Sequence, residues 1–598
     1  MITVDDLLEP VKTYNSQIKE AHKKNASDFF DDLVKKSNIN VEENRNTVAE
    51  YKKAKEKAEK LKRDTNKVKS LKTFLVVLIV LLFVVAFIGF IVVFTNTEKI
   101  NVVAIIVAIL SLAGAVSLIC FNKIKINVLI REKSKLLNDA ETKCQELKTK
   151  AYQQLGPLNK LYDWNIPAKL VTATLPLIEL DQFFDIKKCQ MLVDNFGFKE
   201  RNDENISTLF VQSGSILGNP FVVEENYVQT MENKVYTGSI VISWTTTERV
   251  NGRVQTVTHT QTLTASVSRP APKYYLDTWL IYANEAAPKL SFSRTPSKAN
   301  TMNDNQIEKY VKSFDKELDK RVRKDIDPSD GSQFTKLANT KFEALFHALD
   351  RNNEVEFRLL FTPLAQKNMV DLITSKQPYG DDFIFRKKQK LNYIKSKHSQ
   401  GKDISGNPNV FIDYDVDNAK EKFINYNTEY IKNLFFDLAP LLSIPLYQHT
   451  KTKEYIYKDN YASNFCNYEH EVLANSFDKK MLQHPESDTD LILKTKVIGK
   501  DNDKDFVQVT ANSFKAEERI EYVARMGGDG HLHHIPVRYY EYIPVSQTNN
   551  ITMQHYNASR QEFNEAKINN NLSSIVSQNA NSNAIIYQRG LLAYLLTK

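Results

Sequence analysis

The sequence predicts an α+β protein built on a two-helix transmembrane hairpin with an antiparallel coiled-coil stalk. Three observations lead there. Two uncharged apolar runs, Thr73 to Phe94 and Val102 to Phe121, stand seven residues apart. Apolar residues recur at spacings of three and four along both outer flanks of those runs, the pattern of a helix seam. Beyond Gly156-Pro157, helix and strand signals come in separate blocks, which favours α+β over a parallel βαβ sheet. At 598 residues the chain is also too long for one core, so two or more units are expected.

Residues 1–40 read as an amphipathic helical segment. Leu8, Val11, Tyr14, Ile18 and Ala21 share one face, and Phe29, Phe30, Leu33 and Val34 form a second apolar cluster. Such a face packs on the protein's own body, binds a partner or lies on lipid. Asn40 caps a stalk helix over 41–72, with Tyr51, Ala54, Ala58, Leu61, Thr65 and Val68 along one seam. The first membrane span is 73–94, the external loop 95–101 and the second span 102–121. At ~1.5 Å per residue either span covers a hydrocarbon core of ~30 Å. The returning stalk helix, 122–155, carries Ile126, Ile130, Lys133, Leu137, Ala140, Cys144, Leu147 and Ala151 on the facing seam.

Charge sets the orientation. From Tyr51 to Lys72 ten basic residues oppose three acids, and from Asn122 to Lys135 five oppose one, whereas the loop has only Lys99 against Glu98. The positive-inside rule then puts both termini in the cytoplasm of a multi-pass cell-membrane protein. Lys60, Lys62, Arg63, Lys67, Lys69, Lys72, Lys123, Lys125 and Arg131 are expected at the inner surface, facing anionic lipid. The chain's net +8 resides wholly in its first 155 residues; the other 443 hold 54 basic and 54 acidic residues, which argues against a nucleic-acid partner. Four cysteines without a CxxC exclude a disulfide framework and a zinc finger and fit a reducing compartment.

The cytoplasmic part divides into a β-rich domain, 156–330, and an α+β domain, 331–598, with the boundary near Asp327 to Gly331. Strands are expected from Ile206 to Arg294 and from Asp490 to Val545. Helices are expected at Asn305 to Asp325, Thr335 to Asp350 and Asn418 to Leu442, with helix-compatible, Asn-rich sequence closing the chain. Ser239 to Glu248 and Gln255 to Ser268 flank Asn251-Gly252, the dipeptide of a type I′ hairpin. On its second strand Thr256, Thr258, Thr260, Thr262, Thr264, Ser266 and Ser268 point one way and Val257, Leu263, Ala265 and Val267 the other. That hydroxyl row reads either as a solvated strand face or as a binding surface for a polymer or an added strand.

A second hairpin runs from Glu518 to Met526, through Gly527 to Gly530, and back from His531 to Val545. His531 and His533 lie two apart, so on a strand both rings face one side and supply half a metal site, with Asp529 nearby. Other motifs fall short. His470-Glu471-Val472-Leu473-Ala474 has Ala474 where HExxH needs its second histidine. Asp501, Asp503 and Asp505 open like a calcium loop, but Phe506 and Asn512 occupy the glycine and glutamate positions. Neither a P-loop nor GxGxxG occurs, and Gly214 to Gly218 puts Ile216 where a nucleophile elbow needs serine. No cofactor is therefore implied.

The block Phe342 to Ile373, FEALFHALDRNNEVEFRLLFTPLAQKNMVDLI, reads as a helix, a turn at Asn352-Asn353, a strand from Val355 to Phe361, and a helix capped by Thr362 with Pro363 at its first position. This strand–Thr-Pro–helix arrangement resembles a block in bacterial membrane-anchored proteins of unknown function, which also carry two membrane helices before a cytoplasmic domain. The resemblance covers about 30 of the 598 residues and implies an anchored cytoplasmic domain without a specified activity. The expected function is a membrane-anchored scaffold that binds a protein partner. The alternative is a membrane-tethered enzyme, metal-assisted through the His531 region. Membrane remodelling lacks its nucleotide motif, and two uncharged spans offer no charged pathway for transport.

Overall fold

The computed structural model describes residues 3–95, 102–199, 203–250, 253–324, 334–450, 461–568 and 580–596. The external loop, the Asn251-Gly252 turn and the Asp327 to Gly331 boundary fall outside the described residues. The chain is mixed α+β and forms two compact units, one comprising Phe30–Leu161 with Phe411–Phe423 and the other the remaining segments. A division at residue 330 is therefore not the one the packing makes.

The first of these units is built on helices. Helix α1 covers Lys19–Ser37, α2 Val41–Thr95, α3 Val102–Phe121 and α4 Asn127–Gln154. Asn40 caps α2 as expected, its Oδ1 accepting the Glu43 N–H at 3.0 Å. Helix α2 packs along both α3 and α4. Tyr51, Ala58 and Thr65 are buried and Ala54, Leu61 and Val68 half-buried, so the seam read from the sequence is the covered face of α2. Two helices are long and apolar enough to cross a membrane, and only 17% of each apolar window is buried. Phe74, Val77, Leu81, Phe87, Ile106 and Leu110 point outward, whereas a water-soluble core helix would bury such residues. Segment Phe411–Phe423 docks on the base of these helices. The Arg45 guanidinium grips the Asp417 carboxylate through two hydrogen bonds of 2.8 and 3.0 Å, Lys52 reaches Asp415 at 3.0 Å, and Tyr51 and Tyr152 both stack edge-on to Tyr414.

The second unit holds two antiparallel sheets. Their strands are β1 Ile178–Leu180, β2 Ile206–Ile216, β3 Asn219–Val250, β4 Arg253–Ala283, β5 Ser291–Arg294, β6 Phe383–Lys388, β7 Leu391–Ser396, β8 Ile492–Asp501, β9 Lys504–Met526, β10 Leu532–His555, β11 Ala580–Gln588 and β12 Leu591–Leu596. One sheet has the order β1-β2-β3-β4-β7-β6-β5 and the other β11-β12-β10-β9-β8. The helices used below are α5 Ile186–Phe196, α6 Asp304–Lys324, α7 Thr340–Phe346, α8 Glu354–Leu360, α9 Pro363–Thr374, α10 Val416–Leu442, α11 Asn467–Asn475 and α12 Arg560–Ile568. Sheet and helices share an aromatic core, in which Phe292 of β5 touches Phe346, Phe357, Phe361 and Phe385 at ring distances of 5.2–5.8 Å. Leu7, Tyr14 and Ile18 join this core, so the amphipathic N-terminal face packs on the protein's own body. His22 continues that face, with Nδ1 2.8 Å from the Thr174 hydroxyl and Nε2 3.1 Å from the Asn427 carbonyl oxygen. Burial pushes its pKa down to about 4.

Three expectations need correction. Val355 to Phe361 is helical rather than extended: α8 is capped by Asn353, and the buried set is Phe357, Leu360 and Phe361, while Val355 and Leu359 are exposed. The strand reading took period two where the burial follows three and four. The helix expected at Thr335 to Asp350 shrinks to α7, ended by His347 in the left-handed region at φ 58°. Of the helix-compatible sequence expected after Val545, α12 is helical, but the last described residues form the β11–β12 hairpin. Arg589 and Gly590, at φ 52° and 82°, make its two-residue turn between Gln588 and Leu591.

Candidate functional site

The two long hairpins stack on each other. Strand β3 pairs with β2 only as far as Val228, and β4 meets β7 only from Leu280 to Ala283, so residues 229–250 and 253–274 pair with each other alone. Likewise β8 follows β9 only to Asn512 and β12 follows β10 only from Ile551 to His555. At ~3.3 Å per residue the unaccompanied part of β3 extends ~70 Å. A lone two-stranded ribbon of that length is marginal in water, and here each ribbon covers one face of the other. Ile242, Leu263 and Ala265 pack on Ile535 and Val537. Arg269 pairs with Glu521 while lying 5.1 Å from the Tyr539 ring centroid, and the Gly528 N–H donates to Gln261 Oε1 at 2.7 Å. Gly238 sits where the backbones cross: a Cβ there would stand 2.2 Å from the Pro536 carbonyl oxygen.

This two-layer arm leaves two outer faces of different chemistry. On β3 and β4, Thr256, Thr258, Thr260, Thr262, Thr264, Ser266 and Ser268 are all exposed. Thr247, Thr245, Ser243, Ser239 and Thr237 stand opposite Thr256, Thr258, Thr260, Thr264 and Ser266, so the row read from the sequence has a second row beside it, hydroxyl-bearing except for the exposed Val241 and Val235. The outer face of β9 and β10 exposes Ile520, Tyr522, Met526, Leu532 and Tyr540 beside Glu518, His534 and Arg538. Tyr522 and Met526 are each 65% exposed. The sequence reading missed that second face, although Ile520, Tyr522 and Met526 already alternate with charged or small residues along β9.

The histidines singled out earlier lie at the tip of the second ribbon. His533 Nε2 is 2.9 Å from Asp529 Oδ2, while His531 precedes the strand and its backbone N–H donates to Asp529 Oδ1 at 3.0 Å. That N–H and then the His533 ring hold the Asp529 carboxyl below the usual carboxylate range. Among the described residues no group of three or more His, Cys, Asp and Glu side chains has the arrangement of a metal site. The basic flank residues occupy α2 and the segment after α3. Lys60, Lys62, Arg63, Lys67, Lys69, Lys123, Lys125 and Arg131 are exposed, and Lys72 is half-buried.

A polar cluster that the sequence did not reveal surrounds His398. Its Nδ1 lies 2.7 Å from Asp382 Oδ2, its Nε2 lies 3.3 Å from the Asn433 carbonyl oxygen and 3.4 Å from Asp437 Oδ1, and its ring stacks on Tyr379 at 4.0 Å. Burial opposes the imidazolium, but Asp437 and Asp382 outweigh it and raise the His398 pKa. Burial raises Asp437 as well, against the pull of His398. Asp437 also lines a cavity of about 180 Å³ with Asp403, Tyr426, Glu429 and Tyr430. Both ring nitrogens of His398 are engaged, and the neighbouring Ser399 hydroxyl donates to Asp437 at 2.6 Å, so the cluster lacks the serine-to-histidine contact of a nucleophilic relay. Comparison with protein-family models, with curated proteins and with solved structures yields no match for this chain.

Proposed function

We propose that this protein is a membrane-anchored cytoplasmic scaffold whose stacked β-arm binds a protein partner. The observation that carries the reading is the arm itself. Two long ribbons are held face to face, and what they present outward is a hydroxyl-rich face and a tyrosine-bearing face with exposed apolar side chains. An outer face on which Ile520, Tyr522, Met526, Leu532 and Tyr540 stand around the Arg538–Glu518 pair has the composition of a protein-binding patch. In this reading α2, α3 and α4 form the hairpin and its antiparallel coiled-coil stalk, both termini are cytoplasmic, and the basic flanks meet anionic lipid.

The test is purification of the full chain from its native membrane in mild detergent, beside a variant in which residues 239–264 and 519–539 are shortened to tight turns. A stoichiometric protein partner held by the full chain and lost from the variant supports the proposal. A partner held equally by both, or held by neither, overturns it.

A further inference from the structure

A second binding site stands at the root of the arm. A cavity of about 270 Å³ there takes in one cross-strand row from each sheet. Asn205, the residue before β2, stands beside Gln229 of β3, its carbonyl oxygen accepting the Gln229 N–H at 2.8 Å, and Gln229 stands opposite Tyr274 of β4. On the other sheet Asn512 of β9 lies between Ile492 of β8 and Ser546 of β10, and Phe514 and Pro544 form the next pair on that face. Both rows mark the place where a ribbon leaves its sheet. Strand β2 ends its pairing with β3 at Val228, one residue before Gln229, and β8 ends its pairing with β9 at Asn512.

Gln229 is the group that calls for a ligand. It is 7% exposed and lines the cavity. Neither polar atom of its carboxamide has a hydrogen-bond partner among the described residues, and neither is sealed off from the cavity. The carboxamides of Asn205 and Asn512 and the Ser546 hydroxyl, on the same lining, are also without partners among the described residues. Three carboxamides and a hydroxyl thus converge on a space whose walls include the rings of Tyr274 and Phe514. A folded protein rarely leaves a buried polar group unpaired, because the group loses its water without a replacement.

The lining narrows the class. Glu204 is the one charged side chain among the described lining residues, and it is exposed. With no lysine or arginine among them, a phosphate or carboxylate finds no counter-charge. A single solvated carboxylate selects a cation weakly. The matching ligand is therefore neutral and rich in groups that both donate and accept. Pockets for drug-sized molecules run from ~300 Å³ upward, so this volume suits one ring rather than a peptide chain. A flat nucleobase carries its polar groups in one plane and would turn an apolar face on one of the two rows. A pyranose carries hydroxyls around its whole rim, each a donor and an acceptor, and offers a C–H face to an aromatic ring.

We propose that this cavity binds a single neutral sugar ring, its hydroxyls paired with the carboxamides of Gln229, Asn205 and Asn512 and its C–H face set against the aromatic wall. The arm-shortened variant keeps both rows, so this reading and the scaffold reading fail independently.

Saturation-transfer NMR titration of the full chain in nanodiscs tests the proposal. The probes are the methyl pyranosides of glucose, galactose, mannose and N-acetylglucosamine, with cyclohexylmethanol, adenine and glucuronate as controls. At least one glycoside should bind saturably and about tenfold or more tighter than each control. Gln229→Leu, which keeps the bulk of the side chain and removes both hydrogen-bonding groups, should weaken that glycoside about tenfold. Asn512→Ala, at a half-buried position, should weaken it too and carries the test if Gln229→Leu does not fold. Absence of glycoside binding, binding no tighter than a control, or an unchanged affinity in either folded variant overturns the proposal.

Discussion

Glu225 shows how a single side chain carries information that no motif does. It lies on β3, two positions from the cavity-lining Val223 and hence on the same sheet face, and it is 8% exposed. Burial, and then the charge of Asp403, lifts its pKa from 4.5 to about 7. Between those values the folded state keeps a proton that the unfolded chain has released, so this group makes stability fall as pH rises through that window. At pH 8 the penalty is at most roughly 3 kcal/mol, and below pH 4.5 it vanishes. Glu225→Gln should therefore raise the urea midpoint clearly at pH 8 and leave it nearly unchanged at pH 4. An equal shift at both pH values would show that Glu225 is not ionising in the fold. The sequence offers no hint of this, because the pKa depends on Asp403, a residue 178 positions away. The same distance problem hid the Arg45–Asp417 grip and the His398 cluster, whose partners are separated by 372 and up to 39 positions.

At the scale of elements, legibility followed the burial of faces. The covered seams of α2 and α4, the Asn40 cap and the outer halves of both hairpins were readable because one face of each is wet and the other dry. The inner halves were not: Phe221 to Val228 is buried almost throughout, so its alternation disappears and β3 reads as far shorter than it is. Helix α11 was readable only as a failed metal motif, and the structure gives its acids and histidine another task. Glu469 accepts the Phe184 N–H at 2.7 Å and pairs with Arg589 at 2.7 Å, His470 meets Asp505 at 3.0 Å, and Glu471 accepts the Thr208 N–H at 2.7 Å and pairs with Lys494 at 2.5 Å. Three consecutive residues thus tie β2, β8, β9 and the β11–β12 turn to one helix. Removing one partner of a buried pair strands the other, at a cost of roughly 3–5 kcal/mol. Glu469→Ala should lose about that much in chemical denaturation, and Glu469→Ala combined with Arg589→Met should recover part of it. If the double variant is as unstable as the sum of the two single ones, the pair is not the coupling element.

For the molecule as a whole, the distribution of charge decides more than its total. The flanks of the two apolar runs hold 15 basic and four acidic residues, against one of each in the loop between them. Each lysine or arginine held against an anionic inner leaflet contributes ~1 kcal/mol, fading over a Debye length of ~8 Å. Their exposure on α2 and after α3 leaves them free to make that contact, since none of the nine is fully buried in the fold. The neutral remainder gives no competing bias, so orientation should follow the flanks alone. In a background with Cys120, Cys144, Cys189 and Cys466 replaced by alanine, Thr97→Cys should react with an impermeant maleimide added to intact cells. Asn579→Cys should react only after lysis. Changing Lys67, Lys69, Lys72, Lys123 and Lys125 to glutamine while adding four lysines between Thr95 and Asn101 should reverse the two results. Reaction of Asn579→Cys in intact cells expressing the unmodified flanks would mean that something other than these charges orients the chain.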